Sequence, residues 1–249
     1  MSTTRSYIGK GTIYLQKRGV AGAALAAIGN CSKLVFNIEQ ETKKELDYES
    51  AGGGAKESLQ RITSVTAALT AYSFSADNLA LALRGTASAN AGVTAITGEA
   101  KAGIALGSLV VLNRLPNLTV APVVKKSGTT IAASGNYELR RAGIYILPNA
   151  AGLTAGDNIT VDYTPLPDNL VEALTAAANE YYMVFDGLNE ADSGKAQLVE
   201  AWRVKFSPAK AFDLLGDDFG TLELEAEVLS DDTKAGVGTS GFFRARAAA

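Results

Sequence analysis

Six charged side chains at alternate positions, Glu39, Glu41, Lys43, Glu45, Asp47 and Glu49, form the densest group in the sequence able to act on a partner. Residues two apart in a β-strand point to the same side. The spacing therefore lines one face with five carboxylates and one ammonium, four net negative charges. The chemistry this suits is electrostatic. Carboxylates along a wall repel phosphate over about a Debye length, roughly 8 Å at physiological salt. A polyanion beside them is kept off the wall, whereas lysine and arginine would grip it. A second row, Glu223, Glu225 and Glu227, repeats the alternation between Leu222, Leu224 and Val228. The plain alternative is that both rows are the wet face of an antiparallel sheet, which is commonly polar on one side.

Other chemistries find little material. There is no histidine and one cysteine, Cys31, which removes disulfides, zinc fingers, histidine bases and the usual nucleophile triads. The turn Asp186–Gly194 offers oxygen ligands without the spacing of a calcium loop. The run Lys125–Thr129 lacks the leading glycine and following helix of a phosphate loop. The pairs Asp217-Asp218 and Asp231-Asp232 read as surface turns, Arg140-Arg141 as a solvated corner, and Cys31 as a small core filler. Asn30, Asn117 and Asn158 sit in glycosylation sequons, which chance produces easily. No metal, cofactor or enzymatic activity is expected.

Bulk properties fit an ordinary globular chain. With 249 residues, 47% hydrophobic, 20% charged and a net charge of −3, it can bury one good core and a small insert. It is neither disordered nor a basic nucleic-acid binder. Lys17-Arg18 before the apolar run Gly19–Ile28 mimics a secretory signal. That run is alanine- and glycine-rich and follows a strand-like segment, so export is not expected, and no stretch is long enough to span a membrane.

The elements that must carry the first acidic row are the two arms of a long β-hairpin, Lys33–Glu49 and Leu59–Phe74, joined by the glycine-rich loop Ser50–Lys56. Even positions Leu34, Phe36, Ile38, Leu46 and Tyr48 make the opposite face half apolar. Centring the loop on Gly54 pairs Leu34 with Phe74, Phe36 with Tyr72 and Leu46 with Ile62. At about 3.3 Å per residue the first arm spans roughly 56 Å, more than the ~45 Å diameter of a compact chain this size. The hairpin should overhang its body, and its open edges invite pairing with other chains.

Elsewhere, Met1–Lys10 reads as an arm, Gly11–Gln16 as a strand and Gly19–Gly29 as a loop. Ser75 caps a helix that Gly85 ends, with Leu79 and Leu83 on one face. Residues 113–167 read as a β-rich insert within one domain spanning 1–249. Leu109–Leu112 reads as a buried strand just before it, and the insert holds strands at Thr119–Lys125, Asn136–Leu139, Gly143–Leu147 and Asn158–Tyr163. Leu170–Ala178 fits helix or strand. Glu180–Phe185 and Gln197–Phe206 flank a turn at Asp186–Lys195, with Leu198, Trp202, Val204 and Phe206 inward. Pro208–Leu215 could hold a helical turn, and Arg244 and Arg246 lie in a basic tail.

The short first strand, the glycine-tipped hairpin, the helix Asn78–Leu83 ending at Gly85, the segment Tyr182–Asn189 and the strand Leu222–Leu229 together resemble the tail tube proteins of long-tailed bacteriophages. The resemblance covers most of residues 8–106 and 170–232. It implies a mainly β fold, a β-sandwich or half-barrel with a projecting hairpin and one flanking helix. It also implies homo-hexameric rings stacked into a hollow tube that conducts genome DNA, with tape-measure and tail-end proteins as further partners, no membrane, and a place in the virion tail. On that reading Glu39, Glu41, Lys43, Glu45, Asp47, Glu49, Glu223, Glu225 and Glu227 face the lumen. Gly52, Gly53, Gly54, Ala55, Lys56, Leu46, Tyr48 and Ile62 are ring-stacking residues. The competing classes are another virion or surface-array protein, with the hairpin splayed outward, and a carbohydrate-binding sandwich, which would display exposed aromatics on one face.

Overall fold

A computed structural model describes residues 6–49, 51–92 and 94–248. Residues 1–5 of the expected arm, Ser50 of the loop and Ala249 of the tail lie outside the described residues. In chain order the strands are β1 (Gly9–Lys17), β2 (Ala26–Ala27), β3 (Cys31–Leu46) and β4 (Ala55–Ala71), followed by helix α1 (Ala76–Ala82). Next come β5 (Thr86–Asn90), β6 (Ile96–Lys101), β7 (Leu109–Val111), β8 (Val123–Lys126), β9 (Thr129–Ile131), β10 (Tyr137–Arg140), β11 (Gly143–Ile146) and β12 (Ile159–Tyr163). The last are β13 (Asp168–Glu172), β14 (Glu180–Asn189), β15 (Lys195–Phe206), β16 (Leu222–Leu229) and β17 (Phe243–Ala247). The protein is mainly β, with several antiparallel sheets and, among the described residues, one α-helix.

The chain divides into two compact units, Met1–Thr86 with Val171–Ala249, and Ala87–Leu170. The expected insert 113–167 falls inside the second unit, which begins earlier. Its first strand and Ile104 come from a stretch of small polar residues whose scattered apolar side chains show no period of two.

The first unit is one antiparallel sheet in the order β2-β1-β14-β15-β16-β4-β3, with β17 also on β15. Its core is one face of that sheet. Leu222, Leu224, Ala226 and Val228 are buried along β16 while the glutamates between them are exposed, and Val65, Ala67 and Leu69 of β4 join them. Phe36 of the edge strand stacks on Phe243 of β17 at 4.9 Å between ring centres. That contact spans strands separated in the sheet order, so the sheet curls over its own apolar face.

Helix α1 packs Leu79, Leu81 and Ala82 onto the same core. Ser75 Oγ accepts from the Asn78 backbone N–H at 3.2 Å, as its cap position requires. Buried Asn78 donates its amide to the carbonyls of Ile28 and Ser73 at 2.7 and 2.9 Å. The left-handed residue after the helix is Arg84, at φ 51°, and not Gly85. Gly85 donates its N–H to Ala80 O at 2.7 Å, closing the end in a Schellman pattern. Glycine stands there because a Cβ would lie 2.3 Å from Glu172 O.

The second unit holds a three-stranded sheet, β10-β11-β7, and a four-stranded sheet, β6-β12-β8-β9. Leu112, Val124, Ile144, Ile146, Ile159 and Val161 form its own core. The strand expected from Thr119 starts only at Val123, because Asn117 folds the preceding residues into a turn, accepting from the Thr119 N–H at 3.0 Å. Leu170–Ala178 resolves into the end of β13 and a turn, and 208–215 contains no helix. The Asp186–Lys195 turn shrinks to Glu190–Gly194, since β14 and β15 pair as far as Asn189 with Lys195.

Candidate functional site

The hairpin is present, but its register differs from the expected one. Leu34 opposes Leu69, Phe36 opposes Ala67, Gln40 opposes Ile62 and Leu46 opposes Ala55. The loop closes tightly, with the Asp47 N–H on Gly54 O at 2.8 Å, so the return strand begins at Ala55 and not Leu59. Shifts between Glu39 and Gln40 and between Glu45 and Leu46 then change the offset along the ribbon. Gly52, Gly53 and Gly54 all take positive φ, and a Cβ on any of them would meet nothing within 4 Å. Ala55 and Lys56 follow them, also exposed.

Past Phe36 and Ser64 the ribbon leaves the core. Strand β16 pairs with β4 only from Ala71 to Thr66, and β3 ends the sheet order with a free outer edge among the described residues. On the side away from the carboxylates Ile38, Leu46 and Ile62 are at least half exposed, and Tyr48 beyond the strand is 86% exposed. Two strands alone are marginal in water, so this apolar side lacks the burial its composition calls for.

Glu39 accepts from Ser64 Oγ at 2.9 Å. Glu41 opposes Arg61, Lys43 opposes Leu59, and Glu45 opposes Glu57 directly, a like-charge pair that costs stability. Asp47 accepts from the Glu49 N–H at 2.8 Å, and Glu49 pairs with Lys56 at 2.7 Å. The second row meets the first in one plane. Lys33, Thr70 and Glu223 oppose one another across three strands, as do Asn37, Thr66 and Glu227. Glu39 is therefore the next residue on the face that carries Glu223, Glu225 and Glu227, two strand spacings or about 10 Å away. This row is partly neutralised: Lys210 pairs with Glu225 at 2.8 Å, Lys205 opposes Glu227, and Thr70 donates to Glu223 at 3.1 Å.

The same polar face holds a cluster that the sequence did not reveal. A bulge between Tyr181 and Met183 turns Trp202 and Leu198 to the side opposite Val204 and Phe206, contrary to the strict alternation expected of β15. Trp202 stacks parallel to Tyr182 at 5.9 Å and donates its indole N–H to Ser240 O at 2.9 Å. Arg244 and Arg246 are not a free tail. Residues 243–247 pair with 197–201 of β15, and both guanidiniums reach buried Glu200. Tyr182 also donates to Glu200, at 2.7 Å. Arg18 bonds Trp202 O at 2.6 Å and buried Asp231 at 2.8 Å.

The Arg244 guanidinium, with smaller help from Tyr182 and Arg246, holds the Glu200 carboxyl below the usual carboxylate range despite its burial. Burial, and then the Glu200 carboxylate, push the Tyr182 phenol up to about 12. A carboxyl lowered on folding stabilises fully above its unfolded value of about 4.3 and loses that contribution as pH falls through the folded value. At pH 3 the amides of 243–247 are therefore expected to exchange hydrogen faster, relative to pH 7 after correction for intrinsic rates, than those of β16.

Among the described residues no three His, Cys, Asp or Glu side chains are grouped to hold a metal ion. At the Asp186–Gly194 turn, Asn189 caps a short 3₁₀ turn over Glu190–Asp192, and Lys195 pairs with Asp192 at 3.4 Å. Among the described residues no helix is long and apolar enough to cross a membrane.

No curated protein matches the chain. A family model covers residues 6–246, spanning both units with the hairpin, the polar face and β17. The chain thus belongs to the family described as "Protein of unknown function UCP028589".

Proposed function

We propose that the protein is a structural subunit of a hollow tube, of the kind that conducts DNA in the tails of long-tailed bacteriophages. Six copies close a ring and rings stack. The observation that carries this reading is the distal hairpin: a ribbon with a free edge and exposed Ile38, Leu46, Ile62 and Tyr48, projecting past the strand that should have covered it. A neighbouring copy supplies both missing partners, a strand along the edge of β3 and apolar surface under the ribbon. The tip from Gly52 to Lys56 seats against the next ring. The polar face of the sheet, with Glu39 beside the β16 glutamates, then turns toward the channel, where its carboxylates keep a duplex off the wall. Tape-measure and tail-end proteins are the further partners such a tube requires.

Negative-stain microscopy of the purified protein tests the assembly: rings with a central channel, stacked into tubes, are expected. A monomer at every concentration examined would overturn the proposal. The channel assignment has its own test. The double variant Glu41→Lys, Glu45→Lys should still build tubes yet deliver DNA at least about tenfold less well, because each replacement exchanges repulsion for a phosphate contact. Unimpaired delivery through assembled tubes removes these residues from the lumen.

A further inference from the structure

On the polar side of β14 and β15 lies a groove of about 540 Å³, within the range of small-molecule sites, lined by Arg18, Tyr182, Glu200, Trp202, Lys234 and Arg244. Three cations face one carboxylate there, on a chain of net charge −3. The carboxylate is already engaged, since Glu200 receives Tyr182 and both arginines of β17. Arg18 is engaged by Asp231 and Trp202 O. Lys234 is different. Its ammonium sits 5.5 Å from the centre of the Trp202 ring, and no carboxylate of the described residues pairs with it. The Arg244 guanidinium lies over the same ring at 4.8 Å, so the indole gathers two cations at one wall of the groove.

Neutral hydrogen-bonding groups complete the lining: the side chains of Gln16, Thr239 and Ser240. Gln16 spends its amide N–H on Ala23 O at 2.6 Å, which leaves its carbonyl oxygen as an acceptor. We infer that this groove binds a sugar bearing an anionic group, a carboxylate or a phosphate. Lys234 and the outer edge of Arg244 take the anion, and Gln16 with the two hydroxyls takes the ring hydroxyls. Trp202 and Tyr182 form a rigid floor whose position the Glu200 network fixes.

Trp202 is the only tryptophan in the chain, so its emission reports the site directly. Full-length protein titrated with D-glucuronate and with D-glucose 6-phosphate should show a saturable change in emission with at least one of them, and the tighter of the two names the anion. Neutral D-glucose should give none at the same concentration. Lys234→Gln, at an exposed position, should weaken binding about tenfold, the value of one charge-assisted contact, with an unchanged far-UV spectrum. The inference fails if neither acidic sugar gives a saturable change, if glucose or inorganic phosphate matches them, or if Lys234→Gln binds as tightly as the parent.

Discussion

Replacing Glu41–Arg61 by Asn-Gly is expected to abolish assembly into rings and tubes while leaving a folded monomer. Gln40 and Ile62 are directly opposed, so a short turn of this composition can join the two strands there. The excised residues are exposed apart from half-buried Asp47 among those described, and none belongs to the apolar core. The core therefore loses almost no buried area, and the melting temperature should move by only a few degrees. Sedimentation velocity reads the oligomer and microscopy the tubes. Tubes formed by the shortened chain would show that the ribbon is an ornament and would sink the proposed function. Loss of folding would instead mean that the ribbon stabilises its own subunit.

Glu200→Ala should be the most damaging single change to a polar side chain in the first unit. The carboxylate is buried and accepts from Tyr182 and from two donors of Arg244. Truncation strands a phenol and a guanidinium together. Because Arg244 is half exposed, water recovers part of the loss, and the cost is about 2–3 kcal/mol. For a protein of this size that lowers the melting temperature by roughly 4–12 °C. The amides of 243–247 should lose hydrogen-exchange protection as β17 detaches, and Glu200→Gln, which keeps an acceptor, should recover part of it. By contrast, Glu225→Ala removes an exposed pair with Lys210 and should cost under ~1 kcal/mol. Equal effects of the two substitutions would refute the role given to Glu200.

The parts of this structure that the sequence disclosed are those written in strong local code. Leu222 to Val228 alternate without interruption, and burial follows residue by residue. Ser75 before Asp77 and Asn78 announces the helix start, and the cap is where it should be. The hairpin's existence was legible from its acidic alternation, but its register was not. Three glycines carry no side chain to fix a turn, and three irregularities in the ladder add offsets that no periodicity encodes. A bulge likewise moved Trp202 away from the core, and with it hid the cluster around Glu200. Arg244 and Arg246 looked like a tail because the apolar partner of their strand, Phe243, finds Phe36 far away in sequence. The start of the second unit was missed for a related reason: β5 reads Thr-Ala-Ser-Ala-Asn, residues too small to announce a face.

The strands β5 and β13, by which the chain passes to Ala87–Leu170 and comes back, are hydrogen-bonded to each other. A module whose two ends emerge side by side can be cut out or exchanged without stretching the host, since closing so small a gap costs little chain entropy. This position is accordingly a natural socket for a foreign payload. A small folded reporter with adjacent termini, spliced between Asn90 and Asp168, should leave the hairpin, the polar face and the C-terminal strand to fold as before.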